Sequence, residues 1–270
     1  MEPLQRNSIP SPHRGEDSRR GSHTGHAPLQ ELFIRRCVDG AVNEAVPTRF
    51  LSCGDDSIRT IRCAGFSNGS WQVSLSSITS FIATTGPITL QVSTLGFSPR
   101  TIELAPFDSV TLWPQTMYSF VGGDGEALAL SRSSREAASL AAQWGMPDIR
   151  PTSGFLISPA STAGRAGDGQ WLALPAEASP GFELRRISGF DSNESHYHQT
   201  FSEAYHVVKG HMLVKLSLLS GESYEGRVEA GDSVVIPRNT VHHVLGGSPD
   251  NQVLVSYWPR FFGDTDKVLA

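Results

Sequence analysis

The sequence has 270 residues, of which 39% are hydrophobic and 18% are charged, a composition typical of a globular protein with one or two domains. Its apolar runs are strand-sized, far below the about 18 residues that a membrane-spanning helix needs. Residues 1–28 also lack the apolar centre of a secretory signal. We therefore expect a cytoplasmic protein with no membrane partner, and the net charge of −5 argues against a nucleic-acid partner.

The chain divides into a polar N-terminal tail and a long region of strand-like segments. Residues 1–28 are rich in Ser, Pro, Arg, His and Gly, so they cannot bury enough apolar surface to offset the entropy of ordering. We predict a disordered tail there. From Leu32 onward, short segments rich in Val, Ile, Leu, Phe and Thr alternate with Gly, Pro, Asp and Asn. This pattern predicts an all-β sandwich or barrel.

One helix interrupts the strand-like segments. Ser133 and Glu136 have the spacing of a capping box, an alanine-rich stretch follows, and Gly145 with Pro147 ends it. The residues beyond are rich in Pro, Gly, Ser and Ala, which is typical of a connection. We predict a helix and linker over 131–154.

The two halves of the chain resemble each other at a constant offset of 124 residues. Between Arg62 and Gly123 the offset needs no gap, and it aligns five marker positions: Gly65, Gly86, Asp108, Thr116 and Gly122 fall on Gly189, Gly210, Asp232, Thr240 and Gly246. Such glycines mark special backbone dihedral angles, so their recurrence indicates a duplicated unit. The predicted units are 29–130 and 155–265.

The second unit contains a cluster of metal-ligating residue types. Because residues two apart on a β-strand share a face, His196 and His198 should point the same way. Glu203 follows, a hairpin turn is expected at Gly210, and a later strand carries His242 to the opposite wall. Three imidazoles and one carboxylate, with one or two positions left for water, suit Fe(II), Mn(II), Ni(II), Co(II) or Zn(II).

These residues resemble the two motifs of the cupin superfamily. The first motif is matched at Gly189, His196, His198, Glu203 and Gly210, with six rather than five residues between the first glycine and the first histidine. The second motif is matched at Gly231, Pro237 and His242. The sequence departs from it at Asn239 and Gly246, where Gly and Asn are usual. Asn tolerates the left-handed conformation, so we expect the turn at Asn239 to persist.

The resemblance implies an all-β bicupin, built from two tandem jelly-roll-like barrels of the double-stranded β-helix type. It implies one divalent metal, with Fe(II) favoured, bound by His196, His198, Glu203 and His242 in the C-terminal barrel. The offset of 124 places Gln72, Ser74, Thr79 and Tyr118 at the four equivalent positions of the first unit. Because these residues are not a good divalent ligand set, we predict a degenerate N-terminal cupin.

The fold does not name the reaction, because cupin barrels host many activities. Three histidines and one glutamate without thiolates are compatible with an oxygen-activating Fe(II) or with a Lewis-acid metal. We expect a metal-dependent enzyme, an Fe(II)-type dioxygenase or oxygenase, acting on a small organic molecule. The alternatives are a sugar or keto-acid isomerase or lyase, a polyketide-cyclase-like cupin, and a non-catalytic metabolite-binding cupin. A homodimer is the expected assembly if the chain is not monomeric.

Two side chains are candidate catalytic groups. In similar cupins the glutamate leaves the metal and acts as a base, which would give Glu203 a second role. Tyr205 should share the face of Glu203 and either donates a hydrogen bond to substrate or only packs. The expected apolar cavity wall consists of Val207, Met212, Val214, Leu216 and Val235. No Lys or Arg is required to enter this cavity, so a strongly anionic substrate is not expected.

Overall fold

The structure is a computed structural model that describes residues 28–34, 57–62, 71–143, 145, 150–160, 170–174, 178–179, 181–258 and 264–270. The predicted disordered tail at 1–28 lies, apart from Pro28, outside the described residues. The predicted all-β class is confirmed, because nearly every described element is a strand. No helix in this part of the chain has the length and apolar character needed to cross a membrane.

The first half contains nine strands and one helix among the described residues. The strands are β1 (Phe33–Ile34), β2 (Ser57–Arg62), β3 (Gln72–Val73), β4 (Ser77–Ala83), β5 (Ile88–Thr94), β6 (Arg100–Leu104), β7 (Ser109–Leu112), β8 (Thr116–Gly123) and β9 (Glu126–Ser133). A 3-10 turn at Leu29–Leu32 precedes β1. The helix α1 spans Ser134–Gln143, within the predicted helix and linker.

The second half repeats this arrangement and has two further strands without a counterpart in the described part of the first half. Its strands are β10 (Phe155–Ser158), β11 (Trp171–Leu174), β12 (Glu183–Ser188), β13 (His196–His198), β14 (Ser202–Lys209), β15 (His211–Ser217), β16 (Ser223–Glu229), β17 (Ser233–Ile236), β18 (Val241–Gly247), β19 (Gln252–Trp258) and β20 (Lys267–Leu269). A second 3-10 turn, Asp264–Asp266, leads into β20.

The four sheets form two barrels with the same strand order. In the first barrel the sheets run β10-β7-β4-β9-β2 and β3-β8-β5-β6. In the second they run β1-β17-β14-β19-β12-β11 and β16-β15-β18-β13-β20. Among the described residues, the offset of 124 converts one order into the other, and only the edge strands β11 and β20 have no described counterpart. The duplication seen in the sequence is therefore a duplication of the barrel.

The two barrels exchange their first strands. In β1, Ile34 pairs with Ser233 of the second barrel, and in β10 Ser158 pairs with Ser109 of the first. Both pairings are antiparallel and are related by the offset of 124 residues. The predicted unit boundaries are corrected here, since 29–34 belong to the second barrel and 155–158 to the first. The periodicity of apolar residues does not show which of the two copies a strand pairs with. The sequence therefore did not predict the exchange.

The three largest apolar clusters account for most of the packing among the described residues. One fills the first barrel, one fills the second, and a third lies between the barrels and includes Leu128, Leu130, Leu254 and Trp258. The exchanged Phe33 packs against Gly226, where a Cβ atom would come within 2.4 Å of the Phe33 ring. The exchanged strands and this third cluster hold the barrels together through buried apolar surface.

Candidate metal centre

The four predicted ligands lie between the two sheets of the second barrel. His196 and His198 alternate on β13, and His196 pairs directly with His242 on the neighbouring strand β18. Glu203 lies on β14 in the facing sheet, where it pairs with Tyr257. All four side chains are buried. Two strands of one sheet and one strand of the other thus direct three imidazoles and one carboxylate into the barrel interior.

The side chains converge closely enough to share one ion. The ligand nitrogens of His196, His198 and His242 all lie within 4.8 Å of one another. Glu203 Oε1 is 3.1 Å from His198 Nε2, and Glu203 Oε2 is 3.4 Å from His242 Nε2. Donors that bind one ion at about 2.0–2.2 Å lie at most about 4.4 Å apart. The two carboxylate–imidazole distances are within that limit, and the histidine nitrogens need at most a small further approach.

The converging atoms lack hydrogen-bond partners, which is the strongest sign that they fit a metal. His198 Nε2, His242 Nε2 and Glu203 Oε2 are buried, and none makes a hydrogen bond of acceptable geometry within the described residues. Each buried unsatisfied polar group costs about 1–3 kcal/mol. Three such atoms pointing at one another are therefore expensive unless a shared ligand satisfies them, and a divalent cation does so.

Backbone carbonyls orient two of the imidazoles for binding. His196 Nδ1 donates to the Glu194 carbonyl oxygen at 2.6 Å, and His242 Nδ1 donates to that of Thr240 at 3.3 Å. With the proton on Nδ1, the Nε2 lone pair faces the cluster, as in metal-binding histidines. His198 has a carboxylate behind it instead, because Asp266 Oδ2 lies 3.7 Å from His198 Nδ1.

The protonation states favour cation binding. Burial, followed by the neighbouring His242, lowers the pKa of His196 to about 4, so its imidazole is neutral at pH 7. Burial alone raises the pKa of Glu203, but the facing His198 and His242 lower it more, and the net shift is downward. A neutral imidazole and an ionised carboxylate are the ligand forms that a metal requires.

A small cavity of about 190 Å³ opens onto the cluster. Besides His196, His198 and Glu203, its lining consists of Gln170, Ile187, Phe190, Asn193, Tyr205, Val255, Tyr257 and Lys267. Pockets for drug-sized ligands are larger, about 300–1,000 Å³. The cavity therefore suits a molecule of a few non-hydrogen atoms.

Tyr205 lies in this cavity beside Glu203, as its position two residues along β14 predicts. Burial, and then the charge of Glu203, raises the pKa of Tyr205 well above its usual value. The hydroxyl group is therefore protonated at neutral pH and is available as a hydrogen-bond donor. Its ring also packs edge-on against Phe190, at a centroid distance of 5.7 Å.

The cavity is partly apolar, as expected, but none of the five residues predicted for its apolar wall lines it. Val207, Met212, Val214 and Leu216 pack inside the core of the second barrel, and Val235 packs between the barrels. The apolar wall is instead formed by Ile187, Phe190 and Val255. Alternation along a strand predicts which side chains face the interior but not how deep in the barrel they lie.

The expectation that no cation enters the cavity is also wrong, because Lys267 lines it. Lys267 begins β20, which pairs with β13 so that Lys267 lies opposite His198. Asp266, behind His198, comes from the same segment. Neither residue belongs to either of the two cupin motifs. Both lie further along the chain than the second motif, which His242 ends. Residues 266–269 are two polar residues followed by two apolar ones, without the alternation that predicts a strand.

The two motif turns adopt the expected backbone. Gly210, at the hairpin between β14 and β15, has a φ of 76°, and a Cβ atom there would lie 2.0 Å from Ser248 Oγ. Asn239 has a φ of 61°, so the prediction that asparagine would preserve the left-handed turn is confirmed. The Asn239 backbone N–H donates to the His198 carbonyl oxygen at 2.8 Å, which ties this turn to β13.

The equivalent positions of the first barrel carry neutral side chains, each of which makes a hydrogen bond. Gln72 and Tyr118 pair across β3 and β8 just as His196 and His242 do across β13 and β18. The Tyr118 hydroxyl donates to Gln72 Oε1 at 2.8 Å. The other two are also satisfied: Ser74 Oγ lies 3.0 Å from the Ser77 carbonyl oxygen, and Thr79 Oγ1 lies 2.9 Å from Ser131 Oγ.

Comparisons with known proteins agree with this geometry. A family model described as "Cupin domain" matches residues 187–256, which contain all four predicted ligands. The chain has the fold of two tandem cupin barrels. No curated protein sequence matches it significantly. The solved structures that resemble this chain share little sequence with it, so they show its fold alone.

Two of these structures illustrate the likeness. Oxalate decarboxylase from Lactobacillus farciminis, in a formate complex, has a TM-score of 0.57 and 11% identity over 90% of both chains. The Streptomyces albus enzyme HEPD, with 2-hydroxyethylphosphonate and Fe(II) bound, has a TM-score of 0.59 and 13% identity over 88% of this chain and 78% of that one. Bicupins of similar architecture thus include a decarboxylase and an iron protein.

Proposed function

We propose that the protein is a metal-dependent bicupin enzyme that binds one divalent ion through His196, His198, Glu203 and His242. The proposal rests on one observation, the convergence of buried imidazole and carboxylate atoms that find no other partner in the described part of the chain. The favoured reaction is an Fe(II)-dependent oxygenation of a small organic molecule. Three imidazoles and one carboxylate without thiolates support an oxygen-activating Fe(II), and HEPD shows the fold with Fe(II) bound.

The bound metal would supply Lewis acidity and an open coordination position for substrate or oxygen. The chain's own residues have separate tasks. The Glu194 and Thr240 carbonyl oxygens hold His196 and His242 in the ligand tautomer. Tyr205 is placed to donate a hydrogen bond to a substrate oxygen, and Glu203 is placed to hold or accept a proton at its carboxylate.

A lyase is the second candidate, and Lys267 in the cavity favours it. A cation beside the cluster is suited to a carboxylate substrate, which decarboxylases consume. Oxalate decarboxylase has the same architecture at 11% identity. The isomerase, cyclase and metabolite-binding alternatives stay open, since no side chain of the cavity favours one of them.

Anaerobic reconstitution with Fe(II) separates these candidates. Protein loaded with one equivalent of Fe(II) is mixed with a panel of small organic acids and alcohols while oxygen and carbon dioxide are measured. Stoichiometric oxygen uptake supports the oxygenase, and carbon dioxide release without net oxygen uptake supports the lyase. The matched control is His196→Ala plus His198→Ala. Tight binding of a compound without turnover would contradict an enzyme and indicate a metabolite-binding protein.

The expected cytoplasmic location and homodimer stay predictions. Cell fractionation tests the first. Sedimentation equilibrium of the full chain tests the second, with a mass of about twice 29.2 kDa expected for a dimer.

A further inference from the structure

The strand β20 is an addition that the second barrel has and the duplication does not explain. It pairs with β13, the strand of His196 and His198, at the edge of the sheet. The offset of 124 places Lys267 at Gln143, the last residue of α1, so within the described residues no strand occupies the equivalent edge beside β3. The addition therefore lies beside the candidate metal centre and brings Lys267 to it.

The Lys267 side chain is largely buried, and its positive charge is only weakly neutralised by neighbouring groups. Its side chain is 23% exposed and lines the cavity. Its one described ionic partner is Glu194, whose Oε2 accepts from Lys267 Nζ at 3.0 Å and whose side chain is 70% exposed. An ion pair with so exposed a carboxylate is screened by water and contributes little. The carboxylate of a bound ligand can therefore replace the Glu194 carboxylate beside Lys267 Nζ.

The charges around the cavity favour an anion. A divalent ion held by three neutral imidazoles and one carboxylate retains one positive charge, and Lys267 adds a second. The buried Asp266 carboxylate beside His198 offsets one of the two, so one positive charge remains once the exposed Glu194 carboxylate is displaced. The remaining polar lining residues are neutral: Gln170, Asn193, Tyr205 and Tyr257. A single ammonium group is a compact point charge without the planar fork of arginine, so it suits a monoanion. The cavity of about 190 Å³ restricts that anion to a small one.

We infer that Lys267 anchors the substrate of this site by its carboxylate, and that the substrate is a small hydroxy or keto carboxylate whose second oxygen faces the metal. The inference rests on the proposed metal-dependent function. Binding would exchange the exposed Glu194 carboxylate for that of the substrate on Lys267 Nζ. Lys267 is a specificity-determining residue in this account.

Ligand binding to Co(II)-loaded full-length protein tests the inference without any turnover. Glycolate and its neutral isostere glycolamide are titrated while the visible Co(II) absorption is followed. For glycolate, Lys267→Met should raise the dissociation constant by about 10- to 100-fold, the effect of losing one charge-assisted hydrogen bond. For glycolamide it should change little. Lys267→Arg should restore most of the affinity, and Lys209→Met, which removes an exposed lysine outside the cavity, should have no effect.

A second variant distinguishes substrate anchoring from a structural ion pair. Glu194→Gln removes the competing carboxylate while keeping the backbone carbonyl that orients His196. It should tighten glycolate binding a few-fold. A structural role for the ion pair predicts the opposite, a less stable protein with unchanged or weaker glycolate binding.

The outcomes separate failure of the inference from failure of the proposed function. Equal loss of glycolate and glycolamide affinity in Lys267→Met, or no loss of either, would overturn the carboxylate anchor while the metal site stands. Protein that retains no Co(II) would overturn both. A folded Lys267→Met variant is identified by unchanged Co(II) content and an unchanged Co(II) spectrum before ligand is added.

Discussion

The two barrels have the same strand order but carry different side chains at one pair of facing positions. In the first barrel, Gln72 and Tyr118 form a hydrogen bond across β3 and β8. In the second, His196 and His242 occupy the same paired position, and the Nε2 atom of His242 has no hydrogen-bond partner among the described residues. The first barrel shows that this pair of positions can be satisfied without a metal. The unsatisfied atoms that converge at the equivalent place in the second barrel are therefore not a requirement of the strand pairing.

The Tyr205 position shows the same contrast. The offset of 124 places Phe81 there in the first barrel, where it packs against Tyr118 and Phe120. In the second barrel, the extra hydroxyl group of Tyr205 lies in the cavity beside Glu203. The first barrel has a phenylalanine ring at this position. The second has a tyrosine ring, whose hydroxyl group is a hydrogen-bond donor.

The largest expected effect comes from making the second barrel resemble the first. His196→Ala plus His198→Ala should remove essentially all bound metal and lower turnover by at least about 10³-fold, because two of four ligands are lost. The fold should persist, since a core of this size does not depend on one ion. Elemental analysis and circular dichroism measure the two effects. Full metal content in the variant would place the metal elsewhere.

Glu203→Gln tests whether the carboxylate does more than bind the ion. The amide oxygen is a weaker ligand, so we expect a substantial fraction of the metal to remain. Turnover should fall by about 10²-fold or more, the range for a lost general base. Metal content and activity are measured on the same samples. If both fall in strict proportion, Glu203 is a ligand without a proton-transfer role.

Tyr205→Phe installs the residue type of the first barrel at the equivalent position. Metal content should not change, because the hydroxyl group is not among the predicted ligands. Turnover should fall by about tenfold, as expected for one lost hydrogen bond of about 1.4 kcal/mol to the reacting molecule. Steady-state kinetics on metal-matched samples measures this. Unchanged kinetics would show that Tyr205 only packs.

The smallest expected effect is on the first barrel. Tyr118→Phe leaves Gln72 without the hydroxyl donor, so the free energy of unfolding should fall by about 1 kcal/mol. Chemical denaturation measures that change. Metal content and turnover should be those of the unsubstituted protein. A loss of metal in this variant would mean that the first barrel takes part in binding.

The ligand cluster was accessible from sequence because its information is local. Alternation on one strand places His196 and His198 on a common face, and the duplicated turns predict how Glu203 and His242 approach them. The backbone of Asn239 followed from its residue type. These are short-range properties of strands and turns, which a sequence displays directly.

The features that could not be predicted from the sequence depend on contacts between segments that are far apart along the chain. Lys267 reaches the cavity only because β20 adds to the free edge of β13, and no pattern in residues 264–270 specifies that edge. The exchange of β1 and β10 likewise depends on pairing with the other copy, which the repeat leaves ambiguous. The depth of Val207 or Met212 in the barrel depends on strand tilt and shear rather than on alternation.

The central claim is that one barrel binds a metal and its duplicate does not. An anomalous-difference map from crystals of metal-loaded protein, collected at the absorption edge of the metal, tests it directly. The account predicts one peak per chain, surrounded by His196, His198, Glu203 and His242, and none between Gln72 and Tyr118. A peak in the first barrel, or no peak among the three histidines of the second, would contradict it.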